Sequence, residues 1–375
     1  MSKPTVVVGI SGGVDSSVSA LLLKEQGYEV IGVFMKNWEE EQSEGGCSTA
    51  ADYEDAVRIC TQIGIPYYTA NFVKQYWEEV FAHTLSAYQK GFTPNPDILC
   101  NREIKFKALL KRALELGADF LATGHYAQTR LTKENERQLL KGADPEKDQS
   151  YFLYTLREEP LSRALFPVGN LPKREVRAIA RKHQLATAEK QDSTGICFIG
   201  ERNFKQFLST YIPRAPGLFE NLSGTALGQH DGIAFYTPGQ RRGLGIGGEG
   251  EAWFVAKKDI SRNAVILVQG ARHPALYCQM LTATELTWVS SQGMPSLPLA
   301  CRAKIRYRQT DQECVITKIE EGVATVEFAI PQRAATPMQS IVFYQEEVCL
   351  GGGIILEPGP SFYEMQKPLP DVVGN

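Results

Sequence analysis

Two kinds of chemistry are readable from residue type and spacing. The first is phosphate binding. Ser11-Gly12-Gly13-Val14-Asp15-Ser16 stands directly behind the β-branched run Thr5–Ile10. Two glycines let the backbone approach a bulky anion without a Cβ in the way. A helix start behind them offers unpaired N–H groups and the positive end of its dipole. The Gly-Lys-Ser/Thr ending of a Walker A loop is absent, and Gly9-Ile10-Ser11-Gly12-Gly13 does not satisfy the GxGxxG spacing. The string therefore reads as a phosphate cradle of another type, or more plainly as a tight turn with Asp15 as helix cap. The second chemistry is sulfur chemistry. Eight cysteines form no CxxC pair, which argues against a zinc knuckle, and no metal site is expected. Cys100 lies in Asn95-Pro96-Asp97-Ile98-Leu99-Cys100-Asn101, ahead of a helix expected over 102–116. A thiol at a helix start is biased toward thiolate. Asp97 could shuttle its proton, raise its pKa, or simply cap the helix. Cys197 lies beside Gly195 in Asp192-Ser193-Thr194-Gly195-Ile196-Cys197-Phe198. Either cysteine could instead be a small buried hydrophobe, which is the reading for the other six.

These residues need a scaffold, and the first two hundred positions supply one. Strand-like runs at 5–10, 29–35, 66–70 and 119–122 alternate with helical spacing at 16–25, 49–63, 73–89 and 102–116. Repeated strand–helix–strand units argue for a parallel sheet covered on both faces. Thr123-Gly124-His125-Tyr126 then falls at the carboxyl edge of the sheet, where ligands of such folds collect. An ordinary glycine turn with a buried His125 gives the same string. Beyond residue 205 the pattern changes to prolines, a glycine-rich stretch over 239–250 and short β-rich runs, including a hairpin around Glu320-Glu321-Gly322. Three units are expected: 1–205, an α/β domain with a Rossmann-like parallel sheet; 206–275, a small linking domain; and 276–375, a C-terminal β-barrel.

Composition narrows the class. The chain has 375 residues, 43% apolar and 22% charged, with a formal charge of −3. That fits an ordinary globular protein and excludes a polycation coating nucleic acid by bulk charge. No stretch approaches the roughly 18 apolar residues that span a bilayer. Met1-Ser2-Lys3-Pro4 leaves no room for a leader before the first strand, so a cytoplasmic protein with reduced thiols is expected, and a monomer is expected as well.

Taken together, SGGVDS, NPDILCN, TGHY, KDQSYFL and DSTGICFIG, in this order, resemble the tRNA-specific 2-thiouridylases of bacteria, within the PP-loop N-type ATP pyrophosphatases (adenine nucleotide α-hydrolases). The resemblance extends to Arg306-Tyr307-Arg308-Gln309 near the C-terminus. It implies an ATP- and Mg²⁺-dependent sulfurtransferase. Gly9, Ile10, Ser11, Gly12, Gly13, Val14, Asp15, Ser16, Met35 and Gly124 would bind ATP. Cys197 would carry a persulfide received from an upstream donor, a cysteine desulfurase or sulfur relay protein. Cys100 would be the nucleophile that completes transfer and Asp97 the proton-handling group, with a Cys100–Cys197 disulfide closing the cycle. Asn95, Pro96 and Asp97 would meet the target base; His125, Lys147, Asp148, Gln149, Arg306, Tyr307 and Gln339 would contact tRNA.

Spacing adds an independent RNA argument. Arg302, Lys304, Arg306 and Arg308 alternate with Cys301, Ala303, Ile305 and Tyr307, so a strand over 299–308 would carry four cations on one face. The solvated wall of a barrel is the plainer reading. Helix 173–183 is also basic, and Tyr126, Tyr151 and Phe152 are candidate stackers for an extruded base. Two other functions remain open on residues alone: a PP-loop ligase that uses ammonia, and a non-catalytic RNA-binding protein with structural ATP.

Overall fold

The structure is a computed structural model that describes residues 3–39, 48–192 and 204–374. Cys197, with the string 193–203 around it, lies outside the described residues. The N-terminal domain contains β1 (Thr5–Gly9), β2 (Glu29–Lys36), β3 (Tyr67–Asn71) and β4 (Phe120–Ala122), then a hairpin of β5 (Ala127–Leu131) and β6 (Arg137–Lys141), then a short β7 (Ala164–Leu165). Five of these form one parallel sheet in the order β3-β2-β1-β4-β7. The strands are apolar on both faces because helices cover both. Val6 and Val8 pack under helices Val14–Glu25, Ser48–Ile63 and Lys173–Lys182, whereas Val7 points to the layer built from 73–89 and 96–115. The chain reverses its direction across the sheet between β1 and β4. That switch point opens the crevice in which such sheets bind ligands.

The next unit is a four-stranded sheet in the order β10-β11-β8-β9, made of β8 (Gly217–Glu220), β9 (Ala226–His230), β10 (Trp253–Asp259) and β11 (Ala264–Gln269). The last is an antiparallel barrel of β12 (Tyr277–Trp288), β13 (Leu299–Lys304), β14 (Gln312–Glu320), β15 (Val323–Arg333), β16 (Ser340–Gln345) and β17 (Val348–Pro358), closed by pairing of β12 with β17. One connection was not legible in the sequence. Hairpin β5–β6 of the first domain adds to the barrel, with Leu140 opposite Val348 and Leu139 opposite Cys349. Backbone hydrogen bonding thus continues from the first domain into the third.

Two expectations are corrected. The strand expected over 299–308 ends at Lys304, and the chain turns at Ile305. The helix expected from 102 begins at Pro96 and continues to Glu115, with a π-helical stretch over Cys100–Leu109.

Candidate active site at the sheet switch point

The glycine turn is built by its own short side chains. Ser16 Oγ accepts from Ser11 N at 3.2 Å and donates to Gly13 O at 3.1 Å, and Ser17 Oγ donates to the same carbonyl at 2.8 Å. Gly12 sits at φ +74°, and a Cβ there would lie 2.5 Å from the Asp52 carbonyl oxygen. Gly124 is equally constrained, because its Cβ would lie 2.7 Å from Ser16 N. The loop after β4 is thereby pressed onto the turn after β1. Met35 Cε approaches the same place, 3.9 Å from a Cβ built on Gly9. Residues 9–16, Met35 and Gly124 therefore converge. Gly12→Ala is expected to cost more than about 1–2 kcal/mol, since a left-handed L-residue and a backbone clash must both be accommodated. Thermal melting and nucleotide titration read both effects.

Asp15, in the first helical turn, is not a cap; the N-cap is Gly13. Its carboxylate accepts from Tyr126 Oη at 2.7 Å and from Lys173 Nζ at 2.7 and 2.8 Å. The same ammonium lies 2.7 Å from Asp192 Oδ1, and Asp192 also pairs with Lys147 and Arg177, each at 2.8 Å. Burial raises the Asp192 carboxyl, but hydrogen bonds from Lys147 and Lys173 outweigh it and hold it down to about 2. Sequence reading missed this network. Residues 9–16 contain no Lys or Arg, and a cation for a polyanion had to come from elsewhere in the chain. That gap was the available signal.

Helix 96–115 links the turn to the first thiol. Leu109 Cδ2 lies 3.3 Å from a Cβ built on Gly9, and Cys100 is nine residues earlier, roughly 13 Å along the helix. Asn95 is the N-cap, its Oδ1 accepting from Asp97 N at 3.2 Å, and Pro96 occupies the first helical position. The cap is thus Asn95 rather than Asp97. Cys100 lies in the second turn, beyond the free N–H groups to which a helix-start effect was attributed. Asp97 and Cys100, three apart, share a helix face. Cys100 is a free thiol with no solvent exposure, and a disulfide to Cys197 is not supported.

Just before this helix, Thr93 joins all three units. Its carbonyl accepts from Gln339 of the barrel. Its hydroxyl accepts from Lys258 at 3.2 Å and lies 3.3 Å from Thr237 Oγ1, both of the middle domain. Gln339 thus holds the approach to Asn95.

The other expected RNA contacts are mostly turned inward. His125 is buried, with Nδ1 2.7 Å from Thr123 Oγ1 and Nε2 3.5 Å from Lys105 Nζ. An ammonium can only donate, so Nε2 accepts and Nδ1–H donates. Burial, then the Lys105 charge, push the ring's pKa well below its usual value and keep it neutral. Gln149 Oε1 accepts from Tyr126 N at 3.0 Å. Asp148 is buried, accepting from Gly142 N, Ser150 N and Lys304 Nζ, each at 3.0 Å. This pair removes the expected row of cations. Lys304 is consumed by Asp148, Arg302 by Asp311 at 3.1 Å, and Arg306 donates to the carbonyls of Arg333 and Ala334. Arg308 alone of the four is exposed. Lys304→Met is expected to destabilise the protein by about 3–5 kcal/mol by stranding a buried carboxylate, readable by chemical denaturation.

Tyr126 and Tyr151 are likewise not stackers: one donates to Asp15, the other to Ser340 O at 2.8 Å. Phe152 is half-buried, 4.3 Å from the Tyr307 ring. Between loop 141–148 and loop 304–311 opens a cleft of about 640 Å³ that Lys141, Lys147, Tyr307 and Arg308 line.

Family models match three stretches: residues 4–201, described as a tRNA methyl transferase HUP domain; 205–269, a tRNA methyl transferase PRC-barrel domain; and 278–355, an aminomethyltransferase beta-barrel domain. The chain is 61% identical to a Protochlamydia amoebophila (strain UWE25) protein named tRNA-specific 2-thiouridylase MnmA, covering 98% of each chain. It is 56% identical to a protein of the same name from Shouchella clausii (strain KSM-K16), over 93% of this chain and 96% of that one. A third namesake, from Francisella tularensis subsp. tularensis, is 55% identical over 95% of this chain and its own full length.

Proposed function

The chain belongs to the tRNA-specific 2-thiouridylases, ATP-using HUP-domain enzymes that thiolate a tRNA uridine, and we propose that it exchanges the 2-oxygen of the wobble uridine for sulfur by way of an adenylated base. A carbonyl oxygen is a poor leaving group until it carries AMP. In the first step uridine O2 attacks the α-phosphorus of ATP and pyrophosphate leaves with the electrons of the broken P–O bond. The glycine turn supplies backbone donors, and Lys173 the positive charge, for the departing pyrophosphate. Mg²⁺ would travel with the phosphates. The carboxylate that the turn offers it is Asp15, and among the described residues no cluster of three metal-binding side chains exists.

In the second step sulfur carried on Cys197 adds to C2, the C2–O bond breaks, and the oxygen departs on AMP. Cys100 sulfur then attacks the Cys197 sulfur, the persulfide S–S bond breaks and thiouridine leaves with its electron pair. Asp97 takes the Cys100 proton, and an external thiol reductant returns two electrons to the transient Cys100–Cys197 bond. The observation that carries this reading is helix 96–115. Leu109 packs beside Gly9 at the start of the phosphate cradle, and Cys100 stands roughly 13 Å along the same helix, a distance a nucleotide bridges. Since Cys100 has no exposure, its sulfur meets the base once docking displaces packing around Asn95–Asp97. Those three residues receive the base, and Tyr307, Arg308 and Lys147 at the cleft take the adjoining backbone. Asp148, His125, Gln149, Arg306 and Gln339 hold the receiving loops in place. A persulfide-donor protein supplies the sulfur, and the enzyme works as a cytoplasmic monomer; among the described residues no helix is long and apolar enough to cross a membrane.

The test is nucleoside mass spectrometry of tRNA incubated with the protein, ATP, Mg²⁺ and a persulfide source. Thiouridine that requires ATP, with AMP and pyrophosphate formed in equal amounts, is the expected result. Thiolation without ATP would overturn it.

A further inference from the structure

Two cysteines remote from this site are placed for a reaction of their own. Cys301 of β13 and Cys314 of β14 are directly opposed in an antiparallel ladder, and their sulfurs are 3.6 Å apart. Opposed residues in such a ladder have Cα atoms about 4.5–5.5 Å apart, inside the window of about 4.4–6.8 Å that a disulfide needs. Closing the S–S distance to the roughly 2.05 Å of a bond requires a sulfur shift of about 1.5 Å, within reach of side-chain rotation. The sulfurs differ in access: Cys301 is half-buried and Cys314 is buried. Hydrogen bonding to Cys301, then burial, push the Cys314 thiol upward, so it stays protonated and can donate toward Cys301 Sγ.

The two residues flank the base of one hairpin. Its loop, 305–311, carries Tyr307 and Arg308 to the cleft, and Asp311 on that loop accepts from Lys141 of the first domain at 2.9 Å. We propose that Cys301 and Cys314 form a peroxide-sensitive dithiol site, whose oxidation staples the hairpin that presents Tyr307 and Arg308. Cys301 sulfur attacks a peroxide oxygen, the O–O bond breaks, and a sulfenic acid and water form. Cys314 sulfur then attacks the sulfenic sulfur, and the hydroxyl leaves with the Cys314 proton as a second water. Both sulfurs are oxidised by one electron each, and the peroxide is reduced by two. The pair lies outside the thiouridylase chemistry of Cys100 and Cys197, so its failure leaves that reading untouched.

The experiment treats reduced full-length protein with hydrogen peroxide, blocks remaining thiols with N-ethylmaleimide, and maps non-reduced tryptic peptides by mass spectrometry. A peptide pair linking Cys301 to Cys314 is expected, at a peroxide dose that leaves the buried Cys278 and Cys349 alkylatable after denaturation. Cys301→Ser should keep basal thiolation, lose the link and leave Cys314 alkylatable. Amide exchange over 305–311 should slow by about tenfold on oxidation of the wild type and not of the variant, as expected when a cross-link suppresses local opening. Over-oxidation of Cys301 to sulfinic acid with no linked peptide would overturn the proposal, as would a link that leaves loop exchange unchanged.

Discussion

Replacing Cys100 or Cys197 with Ser is expected to lower tRNA thiolation by at least about 10³-fold each, with ATP affinity kept within about twofold. Oxygen cannot carry or accept sulfane sulfur, so neither hydroxyl restores the step. Neither thiol belongs to the glycine turn, so nucleotide binding survives. The double variant should be no worse than either single one, because residues that act in one step are not additive. Single-turnover thiolation beside ATP titration reads both quantities. Thiolation at the wild-type rate by either variant would contradict the two-thiol scheme.

The second large effect concerns Lys173. Its ammonium is the cation bound directly to the carboxylate of the glycine turn. Lys173→Met is expected to slow pyrophosphate release by about 10²–10³-fold, the scale on which a charge-stabilising donor acts. The loss should appear mainly in kcat, with a smaller rise in KM for ATP, and Lys173→Arg should recover part of it. A merely structural lysine would instead lower the melting temperature and leave kcat alone. Asp192→Asn is the control, since it removes the other partner of Lys173 and leaves Asp15 in place. The Asp192 carboxyl in the folded protein, at about 2, lies below its ordinary value of 3.8. Its contribution to stability is therefore complete above the ordinary value and is lost as pH falls through the folded one. Denaturation midpoints of Asp192→Asn should be flatter across that acid range than those of the wild type.

What could be read from the sequence was local. A β-branched run followed by two glycines and a helix start fixes both a turn and its affinity for anions, and Gly124 at the end of a strand falls beside it once the sheet is parallel. Asn95-Pro96 was also a local signal, a cap followed by a proline at the first helical position. Placing the helix start at 102 left Cys100 ahead of the first turn, whereas the helix begins at Pro96 and Cys100 lies in its second turn. Other features depend on partners far along the chain. Lys173 meets Asp15 across 158 positions, and Lys304 meets Asp148 across 156. Period-two spacing correctly puts Arg302 and Lys304 on one face of β13. It carries no information about the acids that wait there or about the turn at Ile305. The joining of hairpin β5–β6 to the barrel is equally silent in pattern, since an edge strand looks the same whichever strand it pairs with.

The central claim is that the uridine oxygen leaves attached to AMP. It is tested most directly with tRNA whose target uridine carries oxygen-18 at the 2-position, incubated with the enzyme, ATP and a persulfide source in unlabelled water. Mass spectrometry of the nucleotide products should find one labelled oxygen in AMP for each thiouridine formed, and none in pyrophosphate. Label recovered in water or pyrophosphate, with AMP unlabelled, would contradict the account.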